Sequence, residues 1–211
     1  MVLLRRLFFL PRPAILIRLE SERTLITMSK GQLTTRVARK LSERYSSRGL
    51  DVLYAHGERG TDPDEQLGLI VCWFGSKDTR DSHLAFPDIA IVSQDSSRVL
   101  VLIEIEESSA TPKKLMADAL TTLIGDHITF QERRELKVGL WTRLVVLAKA
   151  DKVAMGIPRL KLLQERLNEI KGQLRTGNAS VQQVIISTFQ GESDLESKLT
   201  REIEKALVSN F

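Results

Sequence analysis

The most regular hydrophobic pattern in the chain lies between residues 29 and 47. Apolar side chains recur there every four positions, a spacing that puts them on one face of an α-helix. They are Leu33, Val37, Leu41 and Tyr45. Ser29 is suited to cap such a helix, and Gly49 is suited to end it. The pattern therefore predicts a helix with one side packed on a core.

Three stretches near the middle of the chain have the composition of β-strands. They are residues 67–74, 87–93 and 99–106, all rich in branched or aromatic side chains. Residues 51–66, rich in Gly, Asp and Pro, indicate an extended piece and a loop, and residues 75–86 a polar connection. Residues 94–98 between the last two strands are interpreted as a polar turn, and a turn centred on Ser96 is the simplest arrangement. We expect the three strands to form an antiparallel meander.

The second half of the chain alternates between helical and strand patterns. Thr111 is suited to cap a helix that has Pro112 in its first turn. Asp126 and His127 after that helix are interpreted as a turn. The predicted helices are residues 112–125, 158–174 and 192–208, and the predicted strands are residues 144–148 and 183–187. The order α-β-β-β-α-β, then α-β-α, predicts an α/β fold with one central mixed β-sheet flanked by helices.

Residues 1–27 are expected to lie outside this domain, which we place at residues 28–211. The segment is apolar but broken by arginine and proline, and no uncharged stretch reaches the roughly 20 residues that a membrane span needs. It also lacks a clean apolar run before a small-residue cleavage site, so no secretory signal is predicted. We expect a disordered tail or a mispredicted start, and an organelle transit peptide is the less favoured alternative.

Charge and cysteine content bear on partners and compartment. The 211 residues carry a net charge of +4, but residues 1–27 hold five arginines against two glutamates, so the predicted domain is nearly neutral. Binding of nucleic acid would therefore need a local basic surface. The single cysteine, Cys72, permits no internal disulfide, as is typical of a reducing compartment. We expect a cytoplasmic protein with no membrane-spanning segment.

Three carboxylates in the predicted hairpin are the strongest candidates for chemistry. Strand side chains alternate between faces, so Glu104 and Glu106 share one face about 7 Å apart, and Ile103 and Ile105 point the other way. With the turn centred on Ser96, Asp88 lies directly across from Glu104, at a cross-strand distance of about 5 Å. Carboxylates this close repel each other, and a cation between them would turn that repulsion into a binding site.

The metal-site interpretation depends on the register of the hairpin and has a simpler alternative. A slip of one residue would move Asp88 to the opposite face. The three acids would then be polar residues at strand ends, which are common at protein surfaces. Against this, residues 100–105 are almost continuously apolar, as in a strand buried on both faces. Ending such a strand in acids is unfavourable unless they are partnered or hydrated.

These residues resemble the PD-(D/E)xK superfamily of restriction-endonuclease-like nucleases. The superfamily core is a helix, a three-stranded meander, a second helix and a fourth strand, and residues 29–148 reproduce that order. Pro87 and Asp88 match the PD, and residues 104–106 occupy the (D/E)xK. The resemblance implies that Asp88 and Glu104 bind Mg²⁺ or Mn²⁺, with the carbonyl of Ile105 as a third ligand.

One position departs from the family pattern. Glu106 stands where the superfamily usually has lysine, although some restriction enzymes carry glutamate there. Lys113 or Lys114, at the start of the next helix, is expected to supply the missing charge. We take Lys113 as the preferred catalytic residue and Lys114 as a contact to nucleic acid. Further contacts to DNA are expected from three residues in the connection before Asp88, namely Lys77, Arg80 and His83.

The resemblance implies a metal-dependent endonuclease of the restriction or repair type. Its expected partner is DNA, although the sequence does not separate DNA from RNA. A homodimer is expected by analogy, because two-fold symmetry matches a duplex that is cut in both strands. No organic cofactor is expected. The alternatives are a catalytically inactive domain that binds nucleic acid or protein, and an unrelated α/β domain with acids at a sheet edge.

Overall fold

The computed structural model describes residues 32–54, 70–130, 134–173 and 181–210. The predictions for residues 1–27 and for the loop beyond residue 54 lie outside these ranges. Among the described residues, no helix combines the length and the apolar character that crossing a bilayer requires.

The described residues form four α-helices and nine strands. The helices are α1 (Gln32–Tyr45), α2 (Pro112–Ile124), α3 (Ile157–Gln173) and α4 (Glu192–Asn210). The strands are β1 (Leu50–Tyr54), β2 (Ile70–Trp73), β3 (His83–Ala85), β4 (Ile89–Ser93), β5 (Val99–Glu106), β6 (His127–Phe130), β7 (Arg134–Lys137), β8 (Arg143–Lys149) and β9 (Gln183–Phe189). The predicted cap at Ser29 lies outside the described residues, whereas Thr111 and Gly49 end up where the sequence placed them, at the ends of helices. The Thr111 side chain accepts a hydrogen bond from the Lys114 amide, and Gly49 adopts φ 72° at the end of a 3₁₀ turn, Ser46–Arg48, that follows α1.

A mixed sheet of five strands forms the centre of the fold, in the order β1-β4-β5-β8-β9. β1, β4 and β5 are antiparallel neighbours, and β5, β8 and β9 run parallel. One face packs against α1 and α4, and the other packs against α2 and α3. The predicted α/β fold with a central mixed sheet and flanking helices is therefore confirmed.

The prediction of a single sheet was wrong. A second sheet of four strands, in the order β3-β2-β6-β7, packs on the side of α2. Residues 67–74, predicted to begin the meander, contain β2 of this second sheet, and β1 is the first strand of the meander instead. His127, interpreted as part of a turn, begins β6, and β3 lies in the predicted polar connection. The apolar composition of β2 agrees with its position in the interior of the second sheet, where it pairs with β3 and with β6.

The free edge of β9 is covered by side chains of α3. Gln164 and Asn168, one helical turn apart, face that edge. The Val184 amide donates to Asn168 Oδ1 over 3.0 Å, and Asn168 Nδ2 donates to the Val184 carbonyl over 2.8 Å. The Ile186 amide donates to Gln164 Oε1 over 2.8 Å. The side-chain amides of α3 therefore form hydrogen bonds with backbone groups that an exposed strand edge would offer to another chain.

We predict that Asn168→Ala destabilises the protein by about 1–3 kcal/mol, because buried backbone groups of Val184 lose their partner. The uncovered edge should also make self-association depend on protein concentration. Urea denaturation and sedimentation velocity measure the two effects. Glu165→Ala, on an exposed position of the same helix, is the matched control. Equal stability of the two variants would contradict the protective role.

Candidate functional site at the acidic edge of the central sheet

The hairpin of β4 and β5 has the predicted register. Ile89 lies opposite Ile103, Ala90 opposite Leu102, and Ile91 opposite Val101. Asp88 directly precedes the first of these pairs, and its amide donates to the Ile103 carbonyl, next to Glu104, over 3.0 Å. The register shifts only nearer the turn, between Ile91 and Val92. Asp88 and Glu104 are therefore cross-strand neighbours.

The side chains of β5 divide between the two faces as the alternation predicts. Ile103 and Ile105 are buried in the core shared with α1 and α4. Glu104 and Glu106 lie on the opposite face, where both contact side chains of α2. Asp88 lies in line with Ala90 and Val92, which belong to the core on that same side. All three predicted carboxylates therefore face α2.

Each carboxylate accepts a hydrogen bond from a different donor. Asp88 Oδ2 accepts the Ile105 amide over 2.6 Å, and Glu104 Oε1 accepts the Thr122 hydroxyl over 3.1 Å. Glu106 forms an ion pair with Lys114. Ile105, whose carbonyl was the expected third ligand, contacts Asp88 through its amide. We call four residues the acidic edge: Asp88, Glu104, Glu106 and Asp118 of α2, which is described next.

Asp118 of α2 completes the acidic edge and was missed in the sequence. Lys114, Asp118 and Thr122 are spaced by four residues and form a polar stripe along the side of α2 that faces β5. Asp118 Oδ2 is buried and has no hydrogen-bond partner among the described residues. The polar stripe could have pointed to Asp118, because polar residues on a helix face that packs against a sheet need partners there.

The surroundings of Asp88, Glu104 and Asp118 favour protonated or cation-bound carboxyl groups. Burial raises the pKa of Asp88 to about 6 against the opposing hydrogen bond from Ile105, with smaller contributions from Glu106 and other acids. Burial, and then the charge of Asp88, raises the pKa of Glu104 well above its ordinary value. Burial, and then Glu106, raises the pKa of Asp118 to about 6. Deprotonation of all three groups would therefore place negative charges close together where water screens them poorly.

The donor chemistry of the acidic edge fits a hard divalent cation. Mg²⁺ and Mn²⁺ prefer carboxylate oxygens, and the buried Asp118 Oδ2 has no hydrogen-bond partner among the described residues. In the described part of the chain, no three His, Cys, Asp or Glu side chains already form a group spaced to hold one ion. Since the carboxylates repel each other and turn to separate donors, they must rotate toward a common point to bind a metal.

The predicted basic residues are divided between two places. Lys114 reaches Glu106, whereas Lys113 beside it is exposed. Lys77 and Arg80 are exposed in the connection between β2 and β3. His83 Nε2 lies 2.6 Å from Asp78 Oδ1. The structure therefore brings Asp88, Glu104, Glu106 and Lys114 together, and shows no contact between the acidic edge and the other four among the described residues.

Local sequence explains how the acidic edge is built. β5 is apolar from Val99 to Ile103, and its acids, Glu104 and Glu106, lie only in its last three residues. The buried part of the strand therefore fixes the position of its acidic end. Pro87 ends the preceding connection directly before Asp88.

Comparisons with protein-family models, with curated proteins and with solved structures find no match to this chain.

Proposed function

We propose that the chain is a metal-dependent endonuclease that hydrolyses phosphodiester bonds in DNA, of the restriction or repair type. The observation that carries the proposal is the acidic edge itself. Asp88 and Glu104 are cross-strand neighbours with raised pKa values, and Asp118 adds an unpartnered buried oxygen beside them. Such a concentration of perturbed carboxyl groups is more typical of a functional site than of a surface.

The order of the elements supports the same proposal. α1, β1, β4, β5, α2 and β8 follow the helix, meander, helix and strand order of the restriction-endonuclease-like core. β2 and β3 are inserted between the first two meander strands, and β6 and β7 between α2 and β8. Asp88 precedes the second meander strand and Glu104 lies in the third, as the resemblance implies.

Asp88 and Glu104 would hold the metal, and Asp118 is placed to add a ligand. A bound Mg²⁺ or Mn²⁺ ion supplies Lewis-acid polarisation of the phosphate and a more acidic bound water. Glu106, on the same face of β5, would accept the proton of the attacking water. Lys114 would stabilise the negative charge that develops on the phosphate. No organic cofactor is part of the proposal, and a homodimer remains the expected assembly.

A catalytically inactive nucleic-acid- or protein-binding module is the second candidate. Two observations favour it: Glu106 replaces the usual lysine, and the carboxylates are not yet grouped around one point in the described residues. The two candidates differ in metal dependence, because the inactive module needs no cation at the acidic edge.

Cleavage of supercoiled, linear and branched DNA, and of RNA, tests the proposed function. The purified full chain is assayed with Mg²⁺, with Mn²⁺ and with EDTA. We expect cleavage of at least one DNA substrate with either metal and none with EDTA, and the preferred substrate separates restriction from repair roles. Failure to cut any substrate with either metal would favour the inactive module.

We predict that Lys114→Met lowers the cleavage rate by about a hundredfold, the usual effect of removing one group that stabilises transition-state charge. Lys113→Met should have a much smaller effect, because Lys113 is exposed and Lys114 contacts Glu106. Single-turnover rates with saturating DNA make the comparison. A larger loss for Lys113→Met would return the catalytic role to Lys113, as the sequence had suggested.

A further inference from the structure

A second polar site lies on the face of the central sheet opposite the acidic edge. It is a cleft of about 920 Å³ lined by α4, by β9, by Arg143 of β8 and by Gln164 of α3. The residues that matter for its chemistry are Arg143, Gln183, Arg201, Glu202 and Lys205. Arg143 pairs with Val101 in the sheet, three residues before Glu104, and points to the side of α4. The cleft is therefore separate from the acidic edge.

Arg143 and Glu202 form a buried ion pair in the wall of this cleft. Arg143 is 6% exposed and Glu202 is 3% exposed, and Arg143 Nη2 lies 2.8 Å from Glu202 Oε2. The other oxygen of Glu202 is contacted by two further cations. Lys205 Nζ lies 2.8 Å from Oε1, and Arg201 Nε lies 3.3 Å from it. One carboxylate thus shares three positively charged partners.

The cleft carries more positive than negative charge. Glu204 is the second acid of its lining, but Glu204 pairs with Arg48, which lies outside the cleft. Arg143, Arg201 and Lys205 therefore face only one carboxylate between them. Cations held together around a partly desolvated cleft raise the local concentration of anions.

One nitrogen of Arg143 is left without a partner. Its Nε is buried and forms no hydrogen bond with any described residue. A buried guanidinium N–H without an acceptor is unfavourable, and native proteins rarely leave one unsatisfied. Guanidinium groups bind phosphate oxygens through a planar fork of N–H donors, which a compact ammonium cannot provide.

We propose that this cleft binds a phosphate group, with Arg143 at its base and Arg201 and Lys205 at its rim. The phosphate supplies the acceptor that Arg143 Nε lacks and compensates the excess positive charge. The ligand is either free phosphate or a mononucleotide, and the volume of the cleft accommodates the larger of the two. The site requires no metal and does not depend on nuclease activity.

Isothermal titration calorimetry of the full chain in a chloride buffer with EDTA tests the proposal. Inorganic phosphate and adenosine 5′-monophosphate are titrated separately. We expect saturable binding at one site. A nucleotide that binds at least tenfold more tightly than phosphate identifies a mononucleotide as the ligand, and equal affinities identify free phosphate.

The rim variant Arg201→Met with Lys205→Met should weaken binding at least tenfold, since both side chains are largely exposed and their loss spares the buried pair. Arg143→Lys keeps the charge opposite Glu202 but removes the fork, and it should weaken binding as well. Arg166→Met, an exposed arginine on α3, is the control and should bind as the wild type does.

Absence of saturable binding, or equal affinity of the rim variant and the control, would overturn the proposal. Asp88→Asn should leave phosphate binding unchanged, which separates this site from the proposed nuclease.

Discussion

Replacement of Asp88 by Asn together with Glu104 by Gln is expected to raise the free energy of unfolding by about 3 kcal/mol at pH 8 in the absence of metal. Burial moves the pKa of Asp88 from 3.8 to about 6, and one pKa unit corresponds to about 1.4 kcal/mol. The pKa of Glu104 is raised in the same direction. The neutral side chains remove the repulsion and can still accept the bonds from Ile105 and Thr122.

The gain should depend on pH in a defined direction. Because the pKa of Asp88 is higher in the folded state, the folded protein binds more protons, and the contribution of Asp88 is most favourable below pH 3.8. That contribution is lost as the pH rises to about 6, so the wild type and the variant should differ little near pH 4 and most at pH 8. Urea denaturation with EDTA at several pH values measures the difference. Glu43→Gln, an exposed acid on α1, is the control.

A double variant that is less stable than the wild type at pH 8 would contradict this account of the acidic edge. A stability gain that comes with loss of activity is the usual sign of a site whose charges serve function and not folding. Surface acids at strand ends, the simpler alternative, would produce a change within about 0.5 kcal/mol in either direction.

Gly125→Ala is expected to destabilise the protein by about 3 kcal/mol. Gly125 follows α2, and a Cβ atom added there would lie 2.1 Å from the sulfur of Cys72. The sulfur is buried against the helix, where it donates to the Thr122 carbonyl over 3.9 Å. The backbone of Gly125 has φ −67°, which any residue adopts, so the effect comes from space alone. Overpacking of this kind typically destabilises a core by about 1–3 kcal/mol.

Removal of the sulfur should rescue the variant. Gly125→Ala with Cys72→Ala is expected to be more stable than Gly125→Ala alone, although Cys72→Ala by itself removes a buried group. Gly191→Ala is the control, because no atom lies within 4 Å of the added Cβ. A double-mutant cycle by thermal unfolding measures the coupling. Additive losses would show that β2 and α2 do not meet as tightly as these distances indicate.

The sequence predicted those parts of the fold that depend on local pattern. The spacing of Leu33, Val37, Leu41 and Tyr45 placed α1, and the apolar run of β5 gave that strand its observed bounds. The register predicted from a turn at residues 94–98 is observed from Ile89 to Ile91, but Val92 lies opposite Val99, one residue out of that register. The irregularity between Ile91 and Val92 that restores the predicted register was not predicted, because no sequence pattern marked it.

The second sheet could not be predicted in the same way. β2 pairs with β6, and the partners Trp73 and His127 are far apart in sequence. A strand pattern indicates a strand but not its partner, so β2 was assigned to the nearest meander. Asp118 was missed for a related reason. Its importance comes from α2 packing across β5, a contact that the spacing within each element does not reveal.

The central claim is that Asp88 and Glu104 hold a divalent metal. Calorimetric titration of Mn²⁺ into the wild type and into the Asp88→Asn with Glu104→Gln variant, at pH 8, tests it most directly. The account predicts saturable binding at the wild-type acidic edge and its loss in the variant, although the variant folds more stably. Equal binding by both proteins, or no binding by the wild type, would contradict the claim and favour an acidic edge without catalytic function.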